Sequence, residues 1–280
     1  MKRFNYHSHS TFCDGKSSLE DMVLAAINKG MDYFGFSAHA PVPFNDNFAL
    51  QKEDVNKYLA ETERLKEKYK DRIRLFTSME FDYITDIMED INEQAKTYGL
   101  DYIIASVHMV REKSSKSMWF IDGSKQEIYD KQLKEVFDGD IRRGVETFYD
   151  QTIRMISNVR PDIVGHLDKI KMHNKDRYFR QTESWYRDLV METLYAIKEN
   201  DCICELNTRG LYKGRSDDFF PSTQWIKAAA EMNLRMTVST DCHNATEVDL
   251  LFDEAIERLK ESGHKYVWYF DGQWKTEKLT

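Results

Sequence analysis

Short apolar runs alternate with longer stretches of helical periodicity along the whole chain. Runs of four to eight apolar or β-branched residues are typical of buried strands, and apolar residues spaced three and four apart are typical of amphipathic helices. The pattern predicts strands at 4–8, 33–37, 73–78, 102–107, 162–165, 202–206, 235–239 and 266–270. It predicts helices at about 17–30, 52–69, 87–99, 125–137, 144–159, 183–199, 221–232 and 247–262.

This alternation indicates a parallel sheet, because each parallel pair of strands needs a crossover connection. An open doubly wound sheet and a closed barrel both fit the order of elements. The first helix has a capping-box pattern at Ser17-Ser18-Leu19-Glu20, and residues 114–123 are predicted to form a loop. No linker rich in proline, glycine or serine interrupts the chain. We therefore expect a single domain over residues 1–280.

Composition narrows the class of protein. The chain is 41% hydrophobic and 31% charged with a net charge of −8, values typical of a soluble globular protein. The acidic balance argues against a nucleic-acid partner, which would require a basic face. We expect neither a signal peptide nor a membrane partner, since no apolar stretch approaches the roughly 18 residues of a span. Four cysteines without a CxxC pair predict reduced thiols and a cytoplasmic location.

Histidines and carboxylates follow most of the predicted strands. The carboxyl ends of the strands carry His7, His9, His39, Glu80, His108, His166, Glu205, Asn207, Asp241 and His243. In a barrel these ends meet on one face, where active sites of such folds are built, whereas an open sheet would spread them along a line. The clustering therefore favours a barrel. His173 and His264 lie in polar surroundings and are predicted to be ordinary surface residues.

These residue types suit divalent metals. Imidazoles and carboxylates bind first-row divalent ions, and alternate residues such as His7 and His9 point to one side of a strand. An isolated His-x-His pair is weak evidence, but here several independent signals agree in position. The number of donors exceeds one tetrahedral site and predicts two or three ions. Multi-metal sites typically activate water and bind phosphoryl oxygens.

The motifs resemble those of the PHP (polymerase and histidinol phosphatase) family. The matching segments, in the family's order, are His7-Ser8-His9, Asp14-Gly15, Ser37-Ala38-His39, Glu80, Ser106-Val107-His108, Gly165-His166 and Asp241-Cys242-His243. Two further stretches, His39–Pro43 and Glu205–Lys213, resemble the histidinol-phosphatase branch of the family. Two details depart from the family's pattern: Met79 stands where a glycine is common, and Cys242 lies between the last two ligand candidates. Neither departure removes a ligand.

The resemblance implies a distorted (β/α)7 barrel, similar to a TIM barrel, with a trinuclear metal centre. It implies a first metal at His7, His9, Glu80 and Asp241, a second at Glu80, His108 and His166, and a third at Asp14, His39 and His243. Zinc, iron and manganese all fit these ligands. The cofactors are thus expected to be three divalent metal ions of undetermined identity.

The resemblance also implies an enzyme that hydrolyses a small-molecule phosphate monoester. The expected reaction, a step of histidine biosynthesis, converts L-histidinol phosphate and water to L-histidinol and phosphate through attack by a metal-bridging hydroxide. Alternative substrates are a nucleotide, phosphotyrosine or single-stranded nucleic acid. A non-catalytic barrel that only binds metal is a third hypothesis, which would be expected to have lost ligands. The sequence names no general acid and no oligomeric state.

Three cations are candidates for binding the phosphate: Arg160, Arg209 and Lys213. Each of them fits an ordinary surface charge equally well. The segment 111–122 follows His108 and could cover the site. Its Trp119 either packs on an imidazole or is buried in the rim of the barrel.

Overall fold

The computed structural model describes residues 1–44, 47–88, 90–115, 117–123 and 125–279. Its strands are β1 (Phe4–Asn5), β2 (Tyr33–His39), β3 (Arg74–Asp82), β4 (Tyr102–Ser106), β5 (Met109–Arg111), β6 (Met118–Phe120), β7 (Ile163–Val164), β8 (Ile203–Asn207), β9 (Met236–Ser239), β10 (Tyr266–Phe270) and β11 (Trp274–Lys278). Its helices are α1 (Leu19–Asn28), α2 (Val55–Tyr69), α3 (Ile91–Tyr98), α4 (Gln126–Phe137), α5 (Ile141–Val159), α6 (Ser184–Glu199), α7 (Arg209–Tyr212), α8 (Thr223–Glu231) and α9 (Phe252–Glu261).

Seven parallel strands form one sheet in the order β1-β2-β3-β4-β7-β8-β9. The two ends of this sheet meet, because Ser8 bridges Cys242 in parallel register and the amide of His9 donates to the carbonyl of Cys242 at 2.8 Å. The sheet is therefore a nearly closed barrel with helices around it. The predicted distorted (β/α)7 barrel is confirmed, and closure brings every strand's carboxyl end to one face.

The strands are buried on both faces, as parallel strands covered by helices must be. In β3 every residue after Arg74 is buried, and all residues of β8 and β9 are buried. The helices place one apolar face on this barrel; α5, for example, buries Val145, Phe148 and Ile156. This packing fixes the strand ends and hence the side chains that project from them.

The start of α1 differs by one residue from the prediction. Ser18, rather than Ser17, is the N-cap, and its hydroxyl accepts from the amide of Asp21. The carboxylate of Asp21, rather than that of Glu20, accepts in return from the amide of Ser18. Glu20 instead accepts from Lys68 and Tyr69 of α2. Two adjacent serines made both registers compatible with the sequence.

Other differences lie outside the regular barrel units. The predicted loop 114–123 contains part of an antiparallel hairpin of β5 and β6, and Lys116 and Ser124 lie outside the described residues. The last helix begins at Phe252 rather than near Glu247, after a short 3-10 turn at Ala245–Glu247. Strand β11, which pairs with β10, is absent from the sequence prediction.

The C-terminal hairpin of β10 and β11 covers the amino end of the barrel. The hydroxyl of Tyr6 donates to the carbonyl of Phe270 at 2.8 Å and accepts from the amide of Phe270 at 2.7 Å. Trp274 donates to the carboxylate of Asp162, which directly precedes β7. The hairpin thus closes the end of the barrel opposite the predicted site. Within the described residues, no helix combines the length and apolar character needed to cross a bilayer.

Candidate metal centre

The barrel gathers the nine predicted ligands at the carboxyl ends of its strands. They are His7, His9 and Asp14 after β1, His39 at the end of β2, Glu80 in β3, His108 after β4, His166 after β7, and Asp241 and His243 after β9. Each lies in at least one group of donor atoms within 4.8 Å of one another. Most of these side chains are buried, so desolvated imidazoles and carboxylates face one small volume.

Glu80 lies at the centre of this cluster. Its Oε2 is 3.0 Å from Nε2 of His7 and 3.2 Å from Nδ1 of His39, and its Oε1 is 2.9 Å from Nε2 of His166. The two carboxylate oxygens therefore face different imidazoles. A carboxylate in this position can bridge two metal ions, as the sequence-based ligand sets require.

A second group forms at the outer side of the cluster around Asp14. Nε2 of His243 lies 3.1 Å from Oδ2 of Asp14, and Nε2 of His39 lies 3.8 Å from its Oδ1. His9 joins the same group of donor atoms. The expected third ligand set of Asp14, His39 and His243 is thus brought together, with His9 beside it.

The other two expected ligand sets are distributed somewhat differently. His7, His9 and Asp241 form one group, and His7, Glu80 and His166 form another. His108 groups with His39 and Glu80, although its Nε2 is only 3.2 Å from Nε2 of His166. The groups overlap through Glu80 and the imidazoles, so the cluster is one connected set of donors.

Unsatisfied imidazole nitrogens show that this donor set fits metal ions. Within the described chain, the buried atoms Nε2 of His7, Nε2 of His9 and Nδ1 of His39 make no hydrogen bond, although Oε2 of Glu80 lies 3.0 to 3.4 Å from each of them. Leaving a buried polar atom unpaired costs roughly 1–3 kcal/mol, so three at one point require an explanation. A divalent ion bound to these lone pairs supplies it, and imidazole with carboxylate suits zinc, iron or manganese.

A second layer of hydrogen bonds orients the donors. Glu205 accepts from Nδ1 of His7 at 2.7 Å and from the amide of His166 at 2.8 Å. Ser106 donates to Oε1 of Glu80 at 2.6 Å. With its Nδ1–H held by a carboxylate, His7 directs Nε2 towards the cluster, which is the arrangement commonly found behind metal-binding histidines.

The backbone is strained where two of these residues leave their strands. Asp241 and His166 have φ angles of 49° and 23°, values that residues with a Cβ adopt at a cost. Gly15 permits another close approach, because a Cβ there would lie 2.4 Å from the amide nitrogen of Ser10. This tight turn directs the neighbouring Asp14 to the cluster, so an Asp-Gly pair is needed at this point.

The electrostatics of the cluster keep its carboxylates ionised. Burial favours the neutral form of Glu80, but His7, His39 and His108 together hold its pKa well below the usual value. Burial likewise opposes charge on His108, yet Asp122, Glu80 and nearby Asp82 raise its pKa to about 9. The anionic oxygens therefore attract positive charge, which divalent ions would supply.

The cluster opens into a cavity of about 630 Å³. Three cations, Lys169, Arg209 and Arg215, line it together with Asp122 and residues of the metal cluster. Three phenylalanines form an aromatic wall: Phe44, Phe48 and Phe120. The cavity thus combines a donor cluster at its base, cations beside it and aromatic rings at its mouth.

The model of the PHP domain family matches residues 5–209, which is most of the chain and includes seven of the nine predicted ligands. The chain belongs to the PHP domain family. The resemblance drawn from the motifs is therefore confirmed.

Curated PHP relatives match over nearly their full length. The histidinol-phosphatase of Bacillus subtilis is 26% identical, with 92% of this chain and 100% of that protein covered. The histidinol-phosphatase of Lactococcus lactis is 25% identical, with 97% and 96% covered. The crystal structure of the L. lactis histidinol phosphate phosphatase, complexed with zinc, L-histidinol and phosphate, superposes with a TM-score of 0.69 at 22% identity and 99% coverage of both chains. That superposition supports the PHP barrel fold.

The three cations predicted to bind phosphate occupy different places in this PHP barrel. Arg209 lines the cavity, and its Nη1 donates to the carbonyl of Asp241 at 2.8 Å. Lys213 is not among the residues that line the cavity, and its Nζ lies 2.6 Å from Oε1 of Glu247. Arg160 is exposed at the end of α5, before β7 begins, and so lies at the amino end of the barrel. The structure does not bring Arg160 to the cavity.

Part of the segment between β4 and α4 lines the cavity. Phe120 and Asp122 line the cavity, as expected for a segment that covers the site. Trp119 is fully buried, with its ring centroid 4.7 Å from that of Tyr129 and 5.7 Å from that of Phe137. Of the two alternatives for Trp119, burial in the barrel rim is the one observed.

The two remaining histidines lie outside the metal groups of the described chain. His264 is buried rather than on the surface, with its Nε2 3.0 Å from the carbonyl of Ile226, so its predicted exposure was wrong. The polar residues around it in sequence concealed a histidine that packs against α8. His173 is partly buried and lies 2.6 Å from the carbonyl of Gly123. It therefore helps to position the segment that carries Asp122.

Three charged residues of the cavity are absent from the sequence-based candidates: Asp122, Lys169 and Arg215. Lys169 follows His166 by three residues, in a segment where a lysine in the sequence resembles a solvated one. Asp122 and Arg215 lie in irregular segments, where a charged side chain in the sequence cannot be distinguished from a solvated one.

Proposed function

We propose that this PHP protein is a metal-dependent phosphatase that hydrolyses L-histidinol phosphate to L-histidinol and phosphate. The observation that carries the proposal is the convergence of nine side chains suited to metal binding on a cavity that is also lined by lysine and arginine side chains. Curated relatives named histidinol-phosphatase match this chain over almost their whole length, which supports the choice of substrate.

The cavity has features that suit this substrate. L-Histidinol phosphate combines a phosphate dianion, an ammonium and an imidazole ring. The ring centroids of Phe48 and Phe120, which line the cavity, lie 6.0 Å apart. Aromatic rings pack well against one another, so this pair suits the imidazole of the substrate. Arg209 lines the cavity and supplies a buried guanidinium that can bind an anion there. A volume of about 630 Å³ accommodates a small phosphate ester.

We propose that the nine clustered side chains hold three divalent metal ions, with zinc, iron and manganese as candidates. These side chains are His7, His9, Asp14, His39, Glu80, His108, His166, Asp241 and His243. Such ions, when bound, lower the pKa of a water ligand and neutralise charge that develops on phosphoryl oxygens. The chain's own part is to hold the donors: Glu205 orients His7, and Ser106 orients Glu80.

The reaction forms a bond from a water-derived oxygen to phosphorus and breaks the bond from phosphorus to the histidinol oxygen, which takes up a proton. Arg209 is placed to hold the phosphoryl group, since hydrogen bonds between charged groups are roughly twice as strong as neutral ones. Its guanidinium is itself fixed by the Asp241 carbonyl and by Tyr212. A preorganised cation of this kind stabilises the charge of the transition state.

A substrate panel tests the proposal. Metal-loaded protein is incubated with L-histidinol phosphate, an aryl phosphate, a nucleotide, a phosphotyrosine peptide and single-stranded DNA, and released phosphate or nucleotide is measured. L-Histidinol phosphate should give the highest kcat/KM. A preference of tenfold or more for another substrate would refute the assignment and favour the alternative phosphoesterase activity that it demonstrates.

Two variants test the metal site within the same assay. Glu80→Gln and His108→Ala should fold and lose most of the activity, because each removes a proposed ligand. Metal analysis of the active wild type should give about three ions per chain, the number that the donor set implies. Full activity in both variants, or a single ion in fully active enzyme, would contradict the trinuclear assignment.

We further propose that residues 1–280 form a single domain in the cytoplasm. The first point is supported by the position of the C-terminal hairpin, which packs directly beneath the barrel. The second is supported by the four unpaired thiols.

A further inference from the structure

Lys169 is a buried lysine at the edge of the metal cluster. It follows His166 in a short 3-10 turn, lines the cavity and is only 7% exposed. Its Nζ lies 2.8 Å from Oδ2 of Asp122 and 3.8 Å from Oδ2 of Asp241. A lysine is seldom buried without a specific partner, so this position requires an account.

The surroundings of Lys169 keep it positively charged. The carboxylates of Asp122 and Asp241 both face its ammonium, and anionic neighbours favour the charged form of a lysine. Asp122 is the partner anion, and its Oδ2 also lies 3.8 Å from Nε2 of His108. The cavity therefore contains a fixed ammonium and carboxylate pair beside the donor cluster.

The position of Lys169 differs from that of Arg209 and Lys213, two other cations near the site. The guanidinium of Arg209 donates to the carbonyl of Asp241, and the ammonium of Lys213 is paired with Glu247. An ammonium has three N–H donors, and in the described chain Lys169 is within 3 Å of a single acceptor, on Asp122. Lys169 thus has donors available for a ligand in the cavity.

Lys169 and a metal-loaded donor cluster are both positively charged, so an anion between them would stabilise their close approach. Lys169 and divalent ions at the donor cluster would repel each other across a buried, weakly screened space. A doubly charged phosphoryl group placed between them would be attracted from both sides. Asp122 balances the charge of Lys169 when the cavity holds no substrate.

We propose that Lys169 is a catalytic residue whose ammonium binds the non-bridging oxygens of the phosphoryl group, and that Asp122 is the positioning residue that holds it there. The proposal rests on the proposed phosphatase function and adds a specific contact to it. Asp122 reaches Lys169 from the segment that follows β6, so this segment has a direct role in assembling the phosphate site.

Binding of inorganic phosphate tests the contact without turnover. Metal-loaded wild type, Lys169→Met, Lys169→Arg and the exposed control Lys175→Met are titrated with inorganic phosphate by calorimetry, and metal content is measured. Lys169→Met should weaken phosphate binding about 10- to 100-fold at unchanged metal content, since a charged hydrogen bond is lost. Lys169→Arg should recover much of the affinity, and Lys175→Met should match the wild type.

Equal affinity for phosphate in Lys169→Met and the wild type would overturn the proposal. If Lys169→Met does not fold, Lys169→Gln serves in its place.

Asp122→Asn tests the positioning role. It should weaken phosphate binding less than Lys169→Met does, and the double variant should bind no more weakly than Lys169→Met alone, because Asp122 acts through Lys169. Additive losses would show that Asp122 acts independently and would refute its assigned role.

Kinetics locate the contact on the substrate. Lys169→Met should lower kcat/KM by a similar factor for L-histidinol phosphate and for an aryl phosphate, since both share the phosphoryl oxygens. A much larger loss for the alkyl ester would place Lys169 at the leaving oxygen and overturn the assignment. Wild-type turnover of L-histidinol phosphate is measured first; its absence would refute the proposed function, while phosphate binding would still decide the role of Lys169.

Discussion

At the scale of single residues, Glu205 shows how a side chain outside the predicted ligand set can control the centre. Its two oxygens accept from two different donors, Nδ1 of His7 and the amide of His166. Glu205→Gln keeps the shape but replaces one acceptor with an NH₂ group. One of the two donors must then lose its partner. Such partners of metal ligands typically contribute 10- to 100-fold in affinity.

We therefore expect Glu205→Gln to retain its fold and to lose metal about 10- to 100-fold more readily. The measurement is metal content and activity after dialysis against a graded series of chelator concentrations. Glu199→Gln, an exposed substitution at the end of α6, is the matched control and should behave as the wild type. Chelator curves that coincide for Glu205→Gln and the wild type would contradict the role assigned to Glu205.

Arg160 and Arg209 form a second test at this scale, because the sequence treats them as equals and the structure separates them. Arg209→Gln should lower kcat/KM by about 10²-fold, as expected for loss of a preorganised donor. Arg160→Gln should stay within about twofold, since surface substitutions have small effects. Steady-state kinetics with L-histidinol phosphate measure both. A loss in Arg160→Gln comparable to that in Arg209→Gln would contradict the placement of Arg160 at the amino end.

The contrast between these residues also explains what the sequence can predict. His39, Glu80 and their counterparts were identifiable because a histidine or carboxylate directly after a buried strand is unusual, and closure of the barrel does the rest. Lys169 was not identified, because a lysine in a polar segment resembles a solvated one until the fold buries it. Arg160 precedes a predicted strand, so its position in the order of elements already pointed to the opposite end of the barrel.

At the scale of elements, the hairpin of β5 and β6 depends on one buried side chain. Trp119 donates from Nε1 to the carbonyl of Tyr129 and packs against α4 and α5, where a Cβ on Gly144 would lie 2.8 Å from its ring. The sequence predicted a loop here because each strand has only three residues, too few for a periodic pattern. Trp119 therefore anchors the segment that carries Phe120 and Asp122.

Trp119→Ala tests this anchor. Removing a fully buried tryptophan should lower the free energy of unfolding by about 3–5 kcal/mol. It should also raise KM for L-histidinol phosphate, because Phe120 and Asp122 lose their fixed positions. Urea unfolding and steady-state kinetics measure the two effects. The control Trp185→Ala, at a partly exposed position, should lower the free energy of unfolding less and leave KM unchanged. If Trp119→Ala and the wild type have a similar KM, the segment that carries Phe120 and Asp122 is held by other contacts.

At the scale of the whole molecule, the barrel separates chemistry from stability. The carboxyl ends of the strands carry the candidate metal donors, strained residues and buried charges. The amino ends are covered by aromatic packing: the ring of Phe270 lies 4.9 Å from that of Phe76 and 5.5 Å from that of Tyr102. The sequence predicted the strands of this barrel but not β11, whose polar alternation resembles a tail. Only packing against the barrel identifies its role.

Tyr6 tests this division, since it lies one residue from His7 in sequence yet binds the opposite end. Its hydroxyl is the hydrogen-bond partner of both the amide and the carbonyl of Phe270. Tyr6→Phe leaves these two buried groups unpaired and should lower the free energy of unfolding by about 1–3 kcal/mol. Metal content and kcat/KM should stay near wild-type values, because the side chain points away from the cluster. Tyr195→Phe, at a residue that is 54% exposed, is the control and should change neither quantity. Loss of metal in Tyr6→Phe at unchanged stability would show instead that the two ends of the barrel are coupled through β1.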